Sequence, residues 1–169
     1  MMKTVLEGRA WVFGDHVSTD QILPGRFLER PIEEVGRYAM AGIDESFPEK
    51  LAPGDFVVGG ANFGCGSSRE AAVLALKQAG VGAVIARSFA RIFFRNAINN
   101  GLPAVIVDDT AGIRTGDRLL IDLTARVVTN LTTGENHAIL NLTDTSLEIL
   151  RHGGILAYTL ARLRKGEGG

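Results

Sequence analysis

Gly59-Gly60-Ala61-Asn62-Phe63-Gly64-Cys65-Gly66-Ser67-Ser68-Arg69-Glu70 leads from the apolar stretch Asp55–Gly59 into a segment carrying Ala71, Leu74, Ala75 and Leu76 that ends at Gly80. A glycine-rich loop between a strand and a helix lets backbone approach a ligand. The first-turn N–H groups there lack intrahelical partners, and the helix dipole adds partial positive charge. The stretch therefore describes an anion site. Arg69 contributes a planar fork that grips a carboxylate through two hydrogen bonds. Ser67 and Glu70 have the Ser-x-x-Glu spacing of a capping box, which predicts that Ser67 caps the helix. A serine in this place also suits a base, because converging N–H donors and a guanidinium stabilise its alkoxide. Spacing alone leaves both readings open. Gly64-x-Gly66 lacks the third glycine of the dinucleotide fingerprint, where Arg69 stands, and no Gly-Lys-Ser/Thr follows, so the nucleotide readings are weak.

Outward from this loop, short β-branched runs bounded by Gly, Pro or Asp predict further strands at Gly82–Ala86, Ala104–Val107, Arg118–Leu123 and Arg126–Thr129. A helix is expected over Phe89–Asn99, with Phe89, Ile92, Phe93 and Ile98 at helical spacing and Gly101 and Pro103 ending it. Arg91, Arg95 and Asn99 share its opposite face, where the two arginines read as fold or interface residues. Thr143 opens another helical pattern, Gly153-Gly154 precedes a basic helix over Ile155–Arg164, and residues 166–169 read as a frayed tail. Helix alternating with strand over Ser67–Val107, followed by strands and a Thr133-Gly134 turn, predicts an α/β fold with a mixed sheet.

Composition narrows the function classes. The 169 residues are 46% apolar, enough for one domain with a substantial core. Lys and Arg number 18 against 19 Asp and Glu, so no overall field draws the surface to nucleic acid or an anionic membrane. Cys65 is the single cysteine, which excludes an internal disulfide and is too few thiolates to hold zinc or an iron–sulfur cluster. His16, His137 and His152 have no ligand-like spacing, so no metal is assigned. The first residues lack the apolar core of a signal peptide, and no apolar run approaches the roughly 20 residues of a membrane span, so a soluble, cytoplasmic protein is expected.

Three separated stretches resemble one known family. The glycine loop is similar to the Gly-x-Asn-x-Gly-x-Gly-Ser-Ser-Arg-Glu signature of the aconitase-family swivel domain. Phe13-Gly14-Asp15-His16-Val17-Ser18-Thr19-Asp20-Gln21-Ile22-Leu23-Pro24-Gly25 resembles the family's Gly-Asp-x-x-x-Thr-Asp-x-Ile-x-Pro-Gly motif. Ser88-Phe89-Ala90-Arg91-Ile92-Phe93-Phe94-Arg95-Asn96 resembles its Ser-Phe-x-Arg-Ile-Phe-x-Arg-Asn helix. The order is the family's, and with Gly153-Gly154 the resemblance covers nearly the whole chain. The length is that of the free-standing small subunits of 3-isopropylmalate dehydratase and homoaconitase.

The resemblance implies a single swivelling-type domain over residues 1–165, in β/β/α layers, and a hydro-lyase active only with a large subunit. Such an enzyme interconverts 2- and 3-isopropylmalate in leucine biosynthesis; a homoaconitase or (methyl)malate-type dehydratase is the alternative. It implies that Ser67 is the catalytic base, that Ser68 and Arg69 bind a substrate carboxylate, and that Asp20 supports them. The [4Fe-4S] cluster belongs to the large subunit, in a heterodimer or heterotetramer; the isolated chain can form a homo-oligomer. Pro24–Pro31 resembles the mobile loop that meets the substrate's variable group, and there Glu29 stands where tricarboxylate-using members tend to place arginine, with Arg30 one position later. Glu29 favours an apolar substituent such as isopropyl, and Arg30 turned inward favours homoaconitate. A reading of a different class is a non-catalytic module that binds small anions.

Overall fold

The computed structural model describes residues 1–167 and arranges seven strands in one sheet of order β4-β3-β2-β1-β5-β6-β7. The middle strand, β1 (Val5–Val12), pairs in parallel with β2 (Phe56–Val58) and antiparallel with β5 (Arg118–Asp122). β3 (Ala83–Ala86) and β4 (Ala104–Ile106) extend the parallel half; β6 (Val127–Asn130) and β7 (Asn136–Ala138) extend the antiparallel half. The sheet is mixed, as expected. β1 itself is absent from the sequence expectations, because Glu7, Gly8 and Arg9 interrupt its apolar run. Gly8 is needed where it stands: a Cβ there would lie 2.6 Å from the carbonyl oxygen of Gly54.

Alternate residues of the parallel strands feed two cores. Val57, Val84 and Ala86 face the cluster that includes Ala72, Val73 and Leu76. Phe56, Val58, Ala83 and Ile85 face the other, with Leu119, Ile121 and Val128 from the antiparallel half. Burial on both faces explains why β2, β3 and β4 read as unbroken apolar runs. One core shared by both halves requires the sheet to curl. Its far edges are tied by the chain leaving β7: Leu140 N–H donates to Ile106 O (2.9 Å), Ile106 N–H donates to Asn141 Oδ1 (2.8 Å) and Asn141 Nδ2 donates to Ala104 O (3.2 Å).

The helices are α1 (Thr19–Ile22), α2 (Phe47–Lys50), α3 (Glu70–Ala79), α4 (Arg91–Asn99), α5 (Asp144–Arg151) and α6 (Ile155–Glu167). α3 ends on Gly80 at φ 106°, a left-handed C-cap that glycine takes without strain. α4 starts two residues later than the spacing predicts, because Phe89 is drawn into a bridge with Phe63. α6 continues through Gly166, where fraying is expected; residues 168 and 169 lie outside the described residues.

Candidate active site

The loops after β1, β2 and β3 leave the same end of the parallel half-sheet and are laced together by backbone. Gly64 N–H donates to Val17 O (2.7 Å), Thr19 N–H to Cys65 O (2.8 Å), Phe63 N–H to Ser88 O (3.0 Å) and Ala90 N–H to Phe63 O (2.9 Å). The carboxyl end of parallel strands is where open α/β sheets bind ligands. Phe63 anchors the glycine loop by edge contacts to Phe89 and Phe93, with ring centroids 6.0 and 5.3 Å apart. Gly64 is fixed by this packing: at φ 83°, a Cβ would sit 2.2 Å from the Phe93 ring. Asn62, at φ 58°, takes the left-handed turn that asparagine tolerates, and its N–H donates to Ser88 Oγ at 2.7 Å.

The predicted capping box at Ser67 does not form. α3 begins at Glu70 with Arg69 as its N-cap in extended conformation, and no side chain caps it. Ser67 thus lies two residues before the cap position. Glu70 is too early to close a box, and its carboxylate accepts instead from Asn100 Nδ2 (3.1 Å). The Ser67 backbone is held from the other side, where the buried Thr19 hydroxyl donates to its carbonyl at 2.7 Å. The Ser67 and Ser68 side chains are exposed and have no hydrogen-bond partner among the described residues. A true capping box stands at α1: Gln21 N–H donates to Ser18 Oγ (3.1 Å) and Ser18 N–H to Gln21 Oε1 (2.9 Å).

Asp20 lies within the helix that this box starts, and its carboxylate is held by other groups. Arg69 Nη1 donates to Asp20 Oδ1 (3.0 Å) and to Leu23 O (3.1 Å), and Gly25 N–H donates to the same Asp20 oxygen (3.1 Å). The Arg69 guanidinium, and after it the Gly25 N–H, hold the Asp20 carboxyl below the usual carboxylate range. With Nη1 engaged twice, Arg69 is held in place and its Nε and Nη2 remain for a ligand. Asp20 and Arg69 are 49 residues apart, and their contact joins two of the three motifs.

A cavity of about 240 Å³ opens beside them, lined by Ser67, Ser68 and Arg69 on one side and by Arg91, Ile92 and Phe93 on the other. Two helix starts face it. In α4 the first backbone bond after the cap runs from Phe94 N–H to Ala90 O (3.0 Å), which leaves the amides of Arg91, Ile92 and Phe93 without helical partners. The arrangement suits an anion. Of the residues expected at the site, Ser67, Ser68, Arg69 and Asp20 come together. Glu29 and Arg30 do not line this cavity: both are exposed, and Arg30 lies over the Tyr38 ring at 5.9 Å. Thr19 and the start of α4 are site components that the residue-level reading missed. The signal for Thr19 was its place beside Asp20 in the first motif.

Among the described residues no group of three or more His, Cys, Asp or Glu gathers to hold a metal ion. Cys65 serves the loop through its carbonyl, and one thiol does not fit a [4Fe-4S] cluster. No helix among the described residues is long and apolar enough to cross a membrane.

A glycine loop and two helix starts meet at the carboxyl end of a half-parallel sheet, and the chain is an α/β domain with a cavity at that end. Comparison with known proteins narrows this class. Residues 36–109 match the family described as Aconitase C-terminal domain. The chain is 46% identical to the isopropylmalate/citramalate isomerase small subunit of Methanocaldococcus jannaschii, covering 98% of this chain and 100% of that one. It is 44% identical to the methanogen homoaconitase small subunit of Methanothermobacter thermautotrophicus, covering 99% and 98%. A crystal structure of 3-isopropylmalate dehydratase from Methanocaldococcus jannaschii superposes with TM-score 0.91 at 45% identity, covering 98% and 99%. The chain belongs to the aconitase family, among its hydro-lyase small subunits.

Proposed function

We propose that this chain is the small subunit of a hydro-lyase that interconverts 2- and 3-isopropylmalate by dehydration and rehydration, in the cytoplasm and in leucine biosynthesis. The observation that carries the reading is the uncapped Ser67, its hydroxyl free beside the Arg69–Asp20 pair at a cavity faced by two helix starts. The names of the relatives at 44–46% identity over nearly the full chain support it.

The residues divide the work as follows. Arg69, held by Asp20, presents its free edge to one substrate carboxylate, and the Ser68 hydroxyl adds a donor. Ser67, as alkoxide, removes the proton from the carbon beside a carboxylate, and those electrons form the double bond as hydroxide departs from the neighbouring carbon. An alkoxide is disfavoured in water, and helix-start amides with a guanidinium nearby offset that cost. Departure of hydroxide is assigned to a large subunit, which would carry the [4Fe-4S] cluster that this chain's single thiol cannot hold. Residues 1–165 act as one swivelling unit, closing over that subunit in a heterodimer or heterotetramer and excluding water from the substrate.

A second reading, homoaconitase, is favoured by the relative of that name at 44% identity. Glu29 argues for isopropylmalate, since an exposed carboxylate on the substrate-side loop repels a third substrate carboxylate. The test is reconstitution with a large subunit and comparison of kcat/KM for isopropylmalate, citramalate and homocitrate. Isopropylmalate is expected to lead; a lead for homocitrate assigns the chain to homoaconitase, and absence of turnover on all three sinks the hydro-lyase reading.

A further inference from the structure

Between Asp20 and Gly42 the chain makes a ring whose two ends meet at α1. Met40 N–H donates to Ile22 O (2.7 Å) and Gly42 N–H to Gln21 O (2.9 Å). Met40 is fully buried at φ 61°, a conformation that bulky residues ordinarily avoid and that persists only where the surroundings fix it. Within the ring, the stretch Leu23–Phe27 forms a strap. A 3-10 turn over Gly25–Phe27 brings the Phe27 ring onto Tyr38, parallel within 6° and with centroids 4.0 Å apart. Arg26 lies over Phe27 at 4.5 Å and pairs with Glu45 (3.0 Å), which ties the same turn to the chain beyond the ring.

The strap begins where the site does. Arg69 Nη1 donates to Leu23 O, and Gly25 N–H donates to the Asp20 oxygen that Arg69 also holds. A Cβ on Gly25 would lie 3.7 Å from Arg69 Nη2 and 3.8 Å from Asp20 Oδ1, so the strap passes close against the pair. The Asp20 side chain is 68% exposed, and an ion pair that open is worth too little on its own to fix a guanidinium in one geometry. Leu23 O and Gly25 N–H complete its fixing, and both belong to the strap. The strap in turn is fastened by Phe27 on Tyr38.

We infer that Tyr38 is a positioning residue of the site: its ring, stacked on Phe27, keeps the strap in place, and through Leu23 and Gly25 it keeps Arg69 and Asp20 aligned. The inference rests on the hydro-lyase reading for its effect on turnover, but not for its effect on Asp20. The test compares wild type with Tyr38→Leu, which keeps apolar bulk without a ring face to stack, with Phe27→Leu, with the double variant and with Tyr38→Phe. Ile121→Val, a small loss of bulk in the other core, is the control for stability alone. The first readout is the Asp20 carboxyl signal in an NMR pH titration of the chain without substrate. Arg69 and then Gly25 lower that carboxyl, and Arg26 of the strap adds to them. Loosening the strap should therefore move the titration up toward the ordinary carboxylate value in Tyr38→Leu and Phe27→Leu alike, and no further in the double variant. Tyr38→Phe and Ile121→Val should stay at the wild-type value. The second readout is kinetic, in the enzyme assembled with its large subunit. There KM for isopropylmalate should rise about 2- to 10-fold in Tyr38→Leu, the scale of one aromatic stack, with kcat within about twofold of wild type. Tyr38→Phe should restore KM. An unmoved Asp20 titration in Tyr38→Leu, the same movement in Ile121→Val, or a fall in kcat at unchanged KM overturns the inference. Absence of turnover in wild type would sink the hydro-lyase reading instead, and the Asp20 titration alone would then decide Tyr38.

Discussion

Ser67 is free because α3 starts three residues after it, so its hydroxyl has no structural duty in the described fold. Removing it should therefore leave stability unchanged: Ser67→Ala is expected within about 0.5 kcal/mol of wild type in chemical denaturation. Ser18→Ala, which dismantles a real capping box, should cost about 1 kcal/mol. Equal losses for the two variants would restore Ser67 as a cap. Arg69 and Asp20 give a prediction in pH. The folded Asp20 carboxyl lies below its ordinary value, chiefly through Arg69, so the charged pair is complete above the ordinary carboxylate range and is lost only as pH falls through that lowered value. The Asp20 carboxyl should thus stay charged through the ordinary carboxylate range in wild type, read as its own signal in an NMR pH titration of the chain without substrate. In Asp20→Asn substrate affinity should already be weak at neutral pH; an Asp20 signal that titrates at the ordinary value in wild type would contradict the pairing. The identities of these residues were legible in the sequence. The cap was not, because Ser-x-x-Glu spacing does not say which residue turns the chain, and here Arg69 does.

At the scale of elements, the loop and α4 are locked together through Gly64 and Phe93. Gly64→Ala combines a Cβ 2.2 Å from the Phe93 ring with φ 83°, so a loss of roughly 1–3 kcal/mol or more is expected. Gly14→Ala is the control, since nothing lies within 4 Å of its Cβ position and its φ is not positive, and it should be near neutral in the same denaturation experiment. Comparable effects would mean that the loop is not seated on α4. The strands β2 to β6 were legible as β-branched runs with turn signals. β1 was not, although it is the middle strand, because Glu7 and Arg9 point outward and its identity depends on partners 46 to 117 residues away that only the folded chain supplies. Helix α4 was legible in its periodicity but not in its role. Phe89 fits the helical spacing, yet its pairing with Phe63 shifts the start of the helix to Arg91 and turns that start toward the cavity.

For the molecule as a whole, the curled sheet brings residues from three distant motifs to one end, and the resulting site is open to a partner. The loop with Glu29 lies outside the cavity in the chain alone, so its effect should appear in the assembled enzyme as specificity and not as stability. Glu29→Arg should raise the ratio of kcat/KM for homocitrate over isopropylmalate while leaving the unfolding midpoint unchanged. An unchanged ratio would remove Glu29 from substrate selection. If this domain supplies the base for a reaction that another subunit completes, Ser67→Ala in the reconstituted enzyme must lose turnover. General-base contributions are about 10²–10⁴-fold, so kcat should fall by that range while KM stays within a few-fold and the variant assembles normally. A Ser67→Ala enzyme that keeps near-wild-type kcat would mean that Ser67 is not the base.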